Sequence, residues 1–249
     1  MPGTASRTTN LKPHFIRGAA MAAKKTMKTG DFIEFDTIVG FGEKLTAYWE
    51  ENSRQIIALA LIICLAAGAA VYWTISSRAS AETAQGLLNE ALTTLNANHP
   101  TEAERTAALS AAVTALSRAA EEYPGTEAGQ VALFYRAQCK YRQKDYSGSI
   151  ADYSAFLPHG GSMADQLRPF ALENIGYAHE ALGDTAEALK WFDKAVQAGR
   201  SAALIAMARM HEAAGAAEPA CENYKKYLAE LPESGYREFA EIKIATLCR

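Results

Sequence analysis

The chain has 249 residues, of which 49% are hydrophobic and 21% are charged, and its formal net charge is −3. This length allows one or two domains with a sizeable core, and the composition excludes a disordered protein. After the central apolar run acidic residues outnumber basic ones, and no basic stripe with interleaved aromatics occurs there, which argues against nucleic acid as a partner.

The first segment, residues 1–30, has no hydrophobic periodicity and mixes Pro, Gly, Thr and Arg, so we expect a disordered cytoplasmic tail. Residues 31–52 follow with apolar positions at helical spacing, among them Phe32, Phe35 and Val39, and this predicts an amphipathic juxtamembrane helix. Such a helix either lies along the inner membrane surface or is a plain helical lead-in to the next segment.

Residues 55–76 contain a run of about twenty uncharged residues, the length that a helix needs to cross ~30 Å of hydrocarbon. The run is apolar on all sides, whereas a core helix of a soluble protein has a polar face. Amphipathic rings, which prefer the headgroup level, flank it at both ends: Tyr48, Trp49, Tyr72 and Trp73. We predict a transmembrane helix with these anchor residues: Ile56, Leu61, Ile63, Leu65, Val71 and Trp73.

A cleaved signal peptide is the alternative interpretation, because Ala79-Ser80-Ala81 has the small-x-small form of a cleavage site. The apolar run is longer than a typical signal core, and the segment before it is long for an n-region, which favours an uncleaved anchor. Basic residues concentrate before the run: Lys24, Lys25, Lys28, Lys44 and Arg54. This asymmetry predicts a cytoplasmic N-terminus and, in a bacterial inner membrane, a periplasmic downstream part.

The downstream part, residues 80–249, contains a repeat in which three segments align on a helix-turn-helix template, from Leu133, Leu172 and Leu204. A small residue lies in the middle of each first helix: Ala137, Gly176 and Ala208. An aromatic residue recurs in each second helix: Tyr153, Phe192 and Tyr224. Helices pack closely only where side chains are small, and we expect the aromatic ring to fill the wedge beside them. Because one hairpin cannot bury its own face, the hairpins should stack.

This pattern resembles the tetratricopeptide repeat family, most closely in the stretch GYAHEALGDTAEALKWFDKA. The resemblance implies an all-α solenoid of helical hairpins, here preceded by a single transmembrane helix. Two turns depart from the family pattern, since Lys144 replaces the usual Gly and Ala216 replaces the usual Asp. A loop insertion, LPHGGSMADQLRP, separates the first two repeats. Two upstream helices ending at Pro124 form a degenerate first unit, and SGYREFAEIKIATLCR forms a capping helix.

On the family template, the first helices of the repeats line a concave face. The positions that we expect to point outward into this groove are Phe134, Gln138, Tyr141, Arg142, Glu173, Tyr177, Glu180, Ile205, Arg209 and Glu212. Exposed aromatics beside mixed charges suit a peptide-binding groove. The alternative for each of these residues taken singly is an ordinary solvated face.

The four cysteines include no CxxC pair and no metal-finger spacing, so we predict no metal site and no cofactor. Cys221 begins the second helix of the last repeat and Cys248 ends the capping helix, so a disulfide is permitted in a periplasmic domain; separately packed thiols are the alternative. Cys64 and Cys139 are expected to be small apolar fillers.

His179 and His211 occupy equivalent positions in successive repeats, either as a metal-binding or pH-sensing pair or as bulky packing residues. No nucleophile elbow, HExxH, Walker loop or GxGxxG motif follows a strand-like run, so we predict that the protein is not an enzyme.

The architecture of tail, span and repeat domain resembles the YfgM-like ancillary subunits of the SecYEG translocon. This resemblance implies a membrane-anchored interaction scaffold in protein export, with translocon subunits, periplasmic chaperones or exported clients as partners. The alternative is a periplasmic repeat protein that supports outer-membrane or cell-envelope assembly. A homo-oligomer is also permitted, because Ala66, Gly68 and Ala70 allow close pairing of two spans.

Overall fold

The structure is a computed structural model, and it describes the backbone of residues 29–248 and the side chains of residues 48–248. Within these ranges every regular element is a helix. The predicted disordered tail lies almost wholly outside the described residues, as do most side chains of the predicted amphipathic helix. The chain divides into two units, Met1–Val71 and Tyr72–Arg249.

The first helix, α1, spans Thr29–Asn96 and includes the predicted membrane span. Of the described side chains in the first unit, the large apolar ones from Ile57 to Val71 are exposed, with Leu65 the most exposed at 73%. None of the most apolar stretch is buried, and the helix is long and apolar enough to cross a membrane. Because a core helix of a soluble protein would be covered by other elements, this exposure is compatible with a single membrane span.

Eight further helices lie in the described part of the second unit, and consecutive helices pack on one another. They are α2 (Glu102–Glu122), α3 (Glu127–Arg142), α4 (Tyr146–Phe156), α5 (Ser162–Ala181), α6 (Thr185–Gln197), α7 (Ala203–Ala213), α8 (Ala217–Glu230) and α9 (Arg237–Leu247). The pairs α3–α4, α5–α6 and α7–α8 are the three predicted hairpins, and α9 is the predicted capping helix. Helix α2 begins with a capping box between Thr101 and Glu104, which satisfies two backbone donors at its first turn.

The interior of the second unit is a series of four apolar clusters. The first joins the end of α1 to α2 and α3, and the second joins α3, α4 and α5. The third lies around α6 and α7, and the fourth joins α7, α8 and α9. Each cluster is built by neighbouring helices only, which is the expected arrangement for stacked repeats.

The small and aromatic positions of the repeat meet inside these clusters, as the pattern predicted. The three aromatic side chains Tyr153, Phe192 and Tyr224 are buried. Gly176 shows why a small residue is needed, because a Cβ atom added there would lie 2.6 Å from Cε1 of Phe192. The closest approach of α5 to α6 therefore depends on the absence of a side chain at Gly176.

The three turns inside the hairpins share one backbone geometry. Lys144, Gly183 and Gly215 each have a positive φ, of 64°, 79° and 71°. In each turn the next residue donates its backbone N–H to the carbonyl of the fifth residue before it, at 2.9 Å. Lys144 is the one of the three that is not glycine. The first repeat therefore keeps the turn at a conformational cost of about 1–2 kcal/mol, because an L-residue disfavours a positive φ.

The second helix of each hairpin begins at the next residue, and two of the three carry a side-chain cap. The carboxylate of Asp145 accepts the N–H of Gly148, and Asp184 accepts that of Glu187. Helix α8 has no such cap, because Ala216 has no acceptor. In the other two hairpins the capped N–H belongs to the third residue after the Asp. The third residue after Ala216 is Pro219, which has no N–H, so no backbone donor is left unsatisfied there.

A charged network crosses three helices near the first repeat. The guanidinium of Arg136 on α3 donates two hydrogen bonds of 2.8 Å to Asp152 on α4, and both side chains are largely buried. It also donates to Glu121 and Ser117 on α2. Burial lowers the pKa of Arg136, but the hydrogen bonds and charges of Asp152 and Glu121 outweigh it and raise the pKa overall. A buried ion pair is stable only when hydrogen bonds satisfy its charged groups, and Arg136 meets this condition.

The predicted loop insertion is wrong in its second half. Residues 162–169 are helical and extend the first helix of the second repeat toward its N-terminus, with Pro169 inside the helix. Arg168 donates to the carbonyl oxygens of Leu157 and His159 and pairs with Asp165, so the extension is fixed to the loop that remains. A run with two adjacent glycines and a proline near each end is typical of a loop, and only these contacts decide otherwise.

Replacing Gly176 with Ala should destabilise the domain by about 1–3 kcal/mol, because the added methyl group displaces the buried Phe192 ring. Urea unfolding of the full chain in detergent measures the change. Gly86→Ala is the matched control: it also lies in a helix, but nothing lies within 4 Å of its added Cβ, so it should stabilise by up to about 1 kcal/mol. Equal effects of the two substitutions would contradict the packing argument.

Replacing Lys144 with Gly should stabilise the domain by up to about 1 kcal/mol, because the turn needs a positive φ. The reverse substitution, Gly183→Ala, should destabilise by a similar amount, since nothing lies within 4 Å of its added Cβ and the penalty is conformational. Thermal unfolding of both variants tests this. A loss of stability in Lys144→Gly would show that the Lys144 side chain contributes more than the backbone strain.

Candidate binding groove

Three clefts lie along the first helices of the repeats, and they share lining residues. The first, of about 230 Å³, lies between α3 and α5, and the second, of about 530 Å³, between α5, α7 and α9. The third, of about 440 Å³, lies between α5 and α7 toward their C-terminal ends. Tyr177 lines the first and second clefts, and Arg209 lines the second and third. The three clefts therefore adjoin one another, and together we call them the groove.

The first cleft, which we call the polar cleft, is lined by hydrogen-bonding side chains: Gln138, Tyr141, Arg142, Tyr153, Asn174 and Tyr177. The amide of Asn174 donates to the hydroxyl of Tyr153 at 2.9 Å, which fixes both groups. Burial raises the pKa of Tyr153, so its hydroxyl stays neutral. Arg142 is exposed, and no carboxylate of the described residues pairs with it. Its guanidinium is therefore available to an anionic or carbonyl group of a ligand.

The second cleft, which we call the aromatic cleft, has aromatic walls and two paired arginines. Tyr177 lies on one side, and Tyr227, Tyr236 and Phe239 lie on the other. Arg200 donates to the carboxylate of Glu173 at 2.6 Å. In this cleft the aromatic surface is the free recognition element, because Arg200 is already paired.

The third cleft carries an ion pair between two helices. The guanidinium of Arg209 on α7 donates to both carboxylate oxygens of Glu180 on α5, at 2.8 and 2.9 Å. This pair joins the first helices of successive repeats across the groove floor. Both hydrogen bonds come from the same guanidinium nitrogen, Nη2, and the pair restricts the motion of both side chains, which limits the entropy that a ligand contact would cost.

Eight of the ten predicted groove residues line these three clefts: Gln138, Tyr141, Arg142, Glu173, Tyr177, Glu180, Ile205 and Arg209. Glu173 lies buried beneath the surface of the aromatic cleft: it is only 5% exposed, and the hydroxyl of Tyr177 donates to its carboxylate at 3.5 Å. The expectation that Glu173 points outward is therefore wrong.

Two predicted residues do not line the groove. Phe134 is 3% exposed, and its ring centroid lies 5.3–5.6 Å from those of Tyr135, Tyr153 and Phe156. The expectation that Phe134 points outward is therefore also wrong. The reason is that the Phe134 ring packs on Tyr153 and Phe156 of α4, so it faces the inside of its own hairpin. Glu212 is half-buried and accepts from Lys243 of α9 at 2.5 Å, away from the clefts.

Sequence reasoning missed the wall that α9 contributes. Tyr236 and Phe239 lie three residues apart, with Ile242 following at the same spacing, and such an apolar stripe on an end helix is a readable signal. Arg200 lies between α6 and α7, where no periodicity indicates a role. Its position in the cleft follows only from its pairing with Glu173.

The structure joins Cys221 and Cys248 in a disulfide, with Cα atoms 5.7 Å apart. Cys139 is a buried free thiol in the first apolar cluster, and burial raises its pKa to about 11. That thiol is consequently neutral and a poor nucleophile at physiological pH. Cys64 is exposed on the apolar part of α1.

The two equivalent histidines lie at the ends of α5 and α7. The Nδ1 atom of His179 is 3.5 Å from the carboxylate of Asp184, and His211 is half-buried. In the part of the chain whose side chains are described, no three His, Cys, Asp or Glu residues are placed to hold a metal ion. A role for the two histidines in pH sensing stays a hypothesis.

Comparison with known proteins gives the family of this architecture. A family model described as a tetratricopeptide repeat-like domain matches residues 46–249. A solved structure of a tetratricopeptide repeat protein from Parabacteroides merdae ATCC 43184 is similar, with a TM-score of 0.52 and 15% sequence identity. The match covers 67% of this chain and 60% of that one, and at this identity it shows the fold alone. No curated protein matches the chain.

The groove should lose stability in alkali because of Tyr177. Burial first, and the charge of Glu173 second, raise the pKa of Tyr177 from 10.0 to about 12. A raised pKa in the folded state means that the contribution of Tyr177 to stability is complete below about pH 10 and is lost as the pH rises toward about 12. Unfolding free energies measured across this range, with tyrosinate absorbance as a second signal, test the prediction.

The control variants separate Tyr177 from the other phenols. Tyr177→Phe keeps the ring and should show a smaller alkaline loss than the wild type. Tyr236→Phe alters an exposed tyrosine of the same groove and should behave like the wild type. An unchanged alkaline loss in Tyr177→Phe would contradict the assignment.

Proposed function

Because the chain belongs to the tetratricopeptide repeat-like domain family, we propose that it is a membrane-anchored interaction scaffold whose groove binds an extended segment of a partner protein. The observation that carries the proposal is the groove of adjoining clefts, which are lined by tyrosines and by an arginine without a carboxylate partner among the described residues. Tyr and Arg are the residue types that contribute most to binding energy at protein interfaces.

The polar cleft supports recognition of a peptide backbone. Gln138 and Asn174 each offer an amide with donor and acceptor atoms, and Arg142 offers donors without a carboxylate partner. Asn174 and Tyr153 are held by their mutual hydrogen bond, so this side of the cleft is ordered before a ligand arrives. Pre-ordering of this kind favours affinity because less side-chain entropy is lost on binding.

A membrane anchor is supported by the exposed apolar part of α1. Tyr48, Trp49, Tyr72 and Trp73 are exposed at its two ends, where they suit the headgroup regions. The helix continues through Ala79-Ser80-Ala81 without a break, and a helical segment is not extended as a protease substrate would be. We therefore favour an uncleaved, single-pass anchor in a bacterial inner membrane with the repeat domain in the periplasm.

The cellular role we propose is in protein export, next to the translocon. Tethering a binding groove near the site where chains emerge raises the effective concentration of its partners and needs no catalytic step. The partners would be translocon subunits, periplasmic chaperones or exported clients. This part of the proposal is supported by the resemblance of tail, span and repeat domain to the YfgM-like subunits.

A second candidate is a periplasmic repeat protein that supports outer-membrane or cell-envelope assembly. The observation that favours it is the small-x-small sequence Ala79-Ser80-Ala81, which lies in an exposed part of α1. In that case cleavage after Ala81 would release the repeat domain.

Site-specific crosslinking in intact membranes tests the proposal. A photo-crosslinking residue at Gln138 should capture translocon subunits, periplasmic chaperones or exported chains, whereas the same residue at exposed Lys226 on α8 should capture few. Arg142→Ala should weaken capture at Gln138 by about tenfold, as expected for loss of one interfacial arginine. Lys226→Ala is the matched charge control and should leave capture unchanged.

Two results would contradict the leading proposal. Capture of outer-membrane assembly factors alone would favour the second candidate, as would a mature N-terminus at Glu82 measured by mass spectrometry of the membrane-extracted protein. Equal capture from Gln138 and Lys226 would argue against the groove as the binding surface.

A further inference from the structure

Helix α9 forms one wall of the aromatic cleft. Tyr236 at its start and Phe239 in its first turn face Tyr177 and Ile205 across the cleft. The Phe239 ring packs edge-on against Tyr224 of α8, with centroids 5.9 Å apart. The width of the cleft therefore depends on where α9 sits against α7 and α8.

The packing of α9 itself is thin. Ala240 is the one α9 residue that is fully buried, while Tyr236 and Ile242 are 63% and 57% exposed. Ile244 and Leu247 are half-buried against the fourth apolar cluster. A helix with few buried contacts belongs to the low-stability end of a domain, where local opening precedes global unfolding.

Polar contacts add little to hold α9 in place. Lys243 pairs with Glu212 of α7 at 2.5 Å, and both side chains are about 30% exposed. Arg237 pairs with Glu241 within α9, so this pair does not attach the helix to its neighbours. Partly exposed ion pairs contribute little, because solvent screens them.

The disulfide is the strong attachment. Cys221 lies in the second turn of α8 and Cys248 directly follows α9, at a sequence separation of 27. The bridge therefore encloses the rest of α8, the connecting loop and all of α9. Cys221 is 6% exposed, whereas Cys248 is half-buried. A reductant therefore reaches the sulfur of Cys248 first.

We propose that the Cys221–Cys248 disulfide is a redox-controlled latch that holds α9 in place and thereby sets the Tyr236–Phe239 wall of the aromatic cleft. In the oxidised form the wall is fixed and the cleft is closed on that side. In the reduced form α9 separates from α8 and the cleft opens. The inference rests on the proposed function only in treating the cleft as a binding surface.

The reductant is a dithiol, and the exchange balances. Its thiolate attacks Sγ of Cys248, the Sγ–Sγ bond breaks, and Cys221 leaves as a thiolate that takes a proton. The second thiol of the reductant then attacks the mixed disulfide and releases Cys248. Two electrons and two protons pass to the two cysteines, and the reductant becomes a disulfide.

Hydrogen exchange on the full chain in detergent micelles tests the latch, with dithiothreitol as the dithiol. Reduction should speed exchange of the α9 amides by about tenfold or more, while α5 and α6 keep their protection as the internal reference. The Cys221→Ser/Cys248→Ser double variant should show the fast α9 pattern without reductant and no response to it. Cys139→Ala removes an unrelated buried thiol and should respond like the wild type.

Three results would overturn the latch. They are unchanged α9 exchange after thiol titration shows complete reduction, loss of protection throughout α5–α9 together, and free thiols at Cys221 and Cys248 in the protein isolated without reductant. The measurement needs no partner, so it stands even if crosslinking finds no translocon component. Conversely, a failed latch leaves the polar cleft and the scaffold proposal untouched.

Discussion

The close contact of small and aromatic side chains is the constraint on which the repeat domain depends. At Gly176 the ring of Phe192 occupies the space that a side chain would need, and Ala137 with Tyr153 and Ala208 with Tyr224 share clusters in the same way. Because each contact sets the spacing of one hairpin, the hairpins stack with their first helices side by side. The groove lies along these first helices.

The groove is shaped by which polar groups the stack satisfies internally. Glu173 is buried and paired with Arg200, and Glu180 is paired with Arg209, so these charges hold the groove together. Arg142 has no such carboxylate partner among the described residues and is left for recognition. The groove therefore combines a fixed floor with a few free groups, which is the arrangement that binding at low entropic cost requires.

Departures from the family pattern are compensated locally. Lys144 adopts the turn conformation that glycine adopts in the other two repeats, with the same hydrogen bond. Ala216 lacks a capping oxygen, but Pro219 lacks the N–H that the oxygen would accept. Beyond the third hairpin, α9 packs on α8 and the disulfide attaches it there, so α9 covers the face of the last hairpin.

The sequence by itself determined the local features: the apolar run, the three hairpins with their turns, and the buried small and aromatic positions. It also indicated most of the residues that line the clefts, whose role in binding stays a prediction. Periodicity and turn chemistry are sufficient for these because each depends on residues close in the chain. Only the tertiary structure decided that Phe134 and Glu173 are buried and that α9 forms a cleft wall. These depend on contacts between helices that are distant in sequence, where the exposure of a side chain is set by the neighbour that covers it.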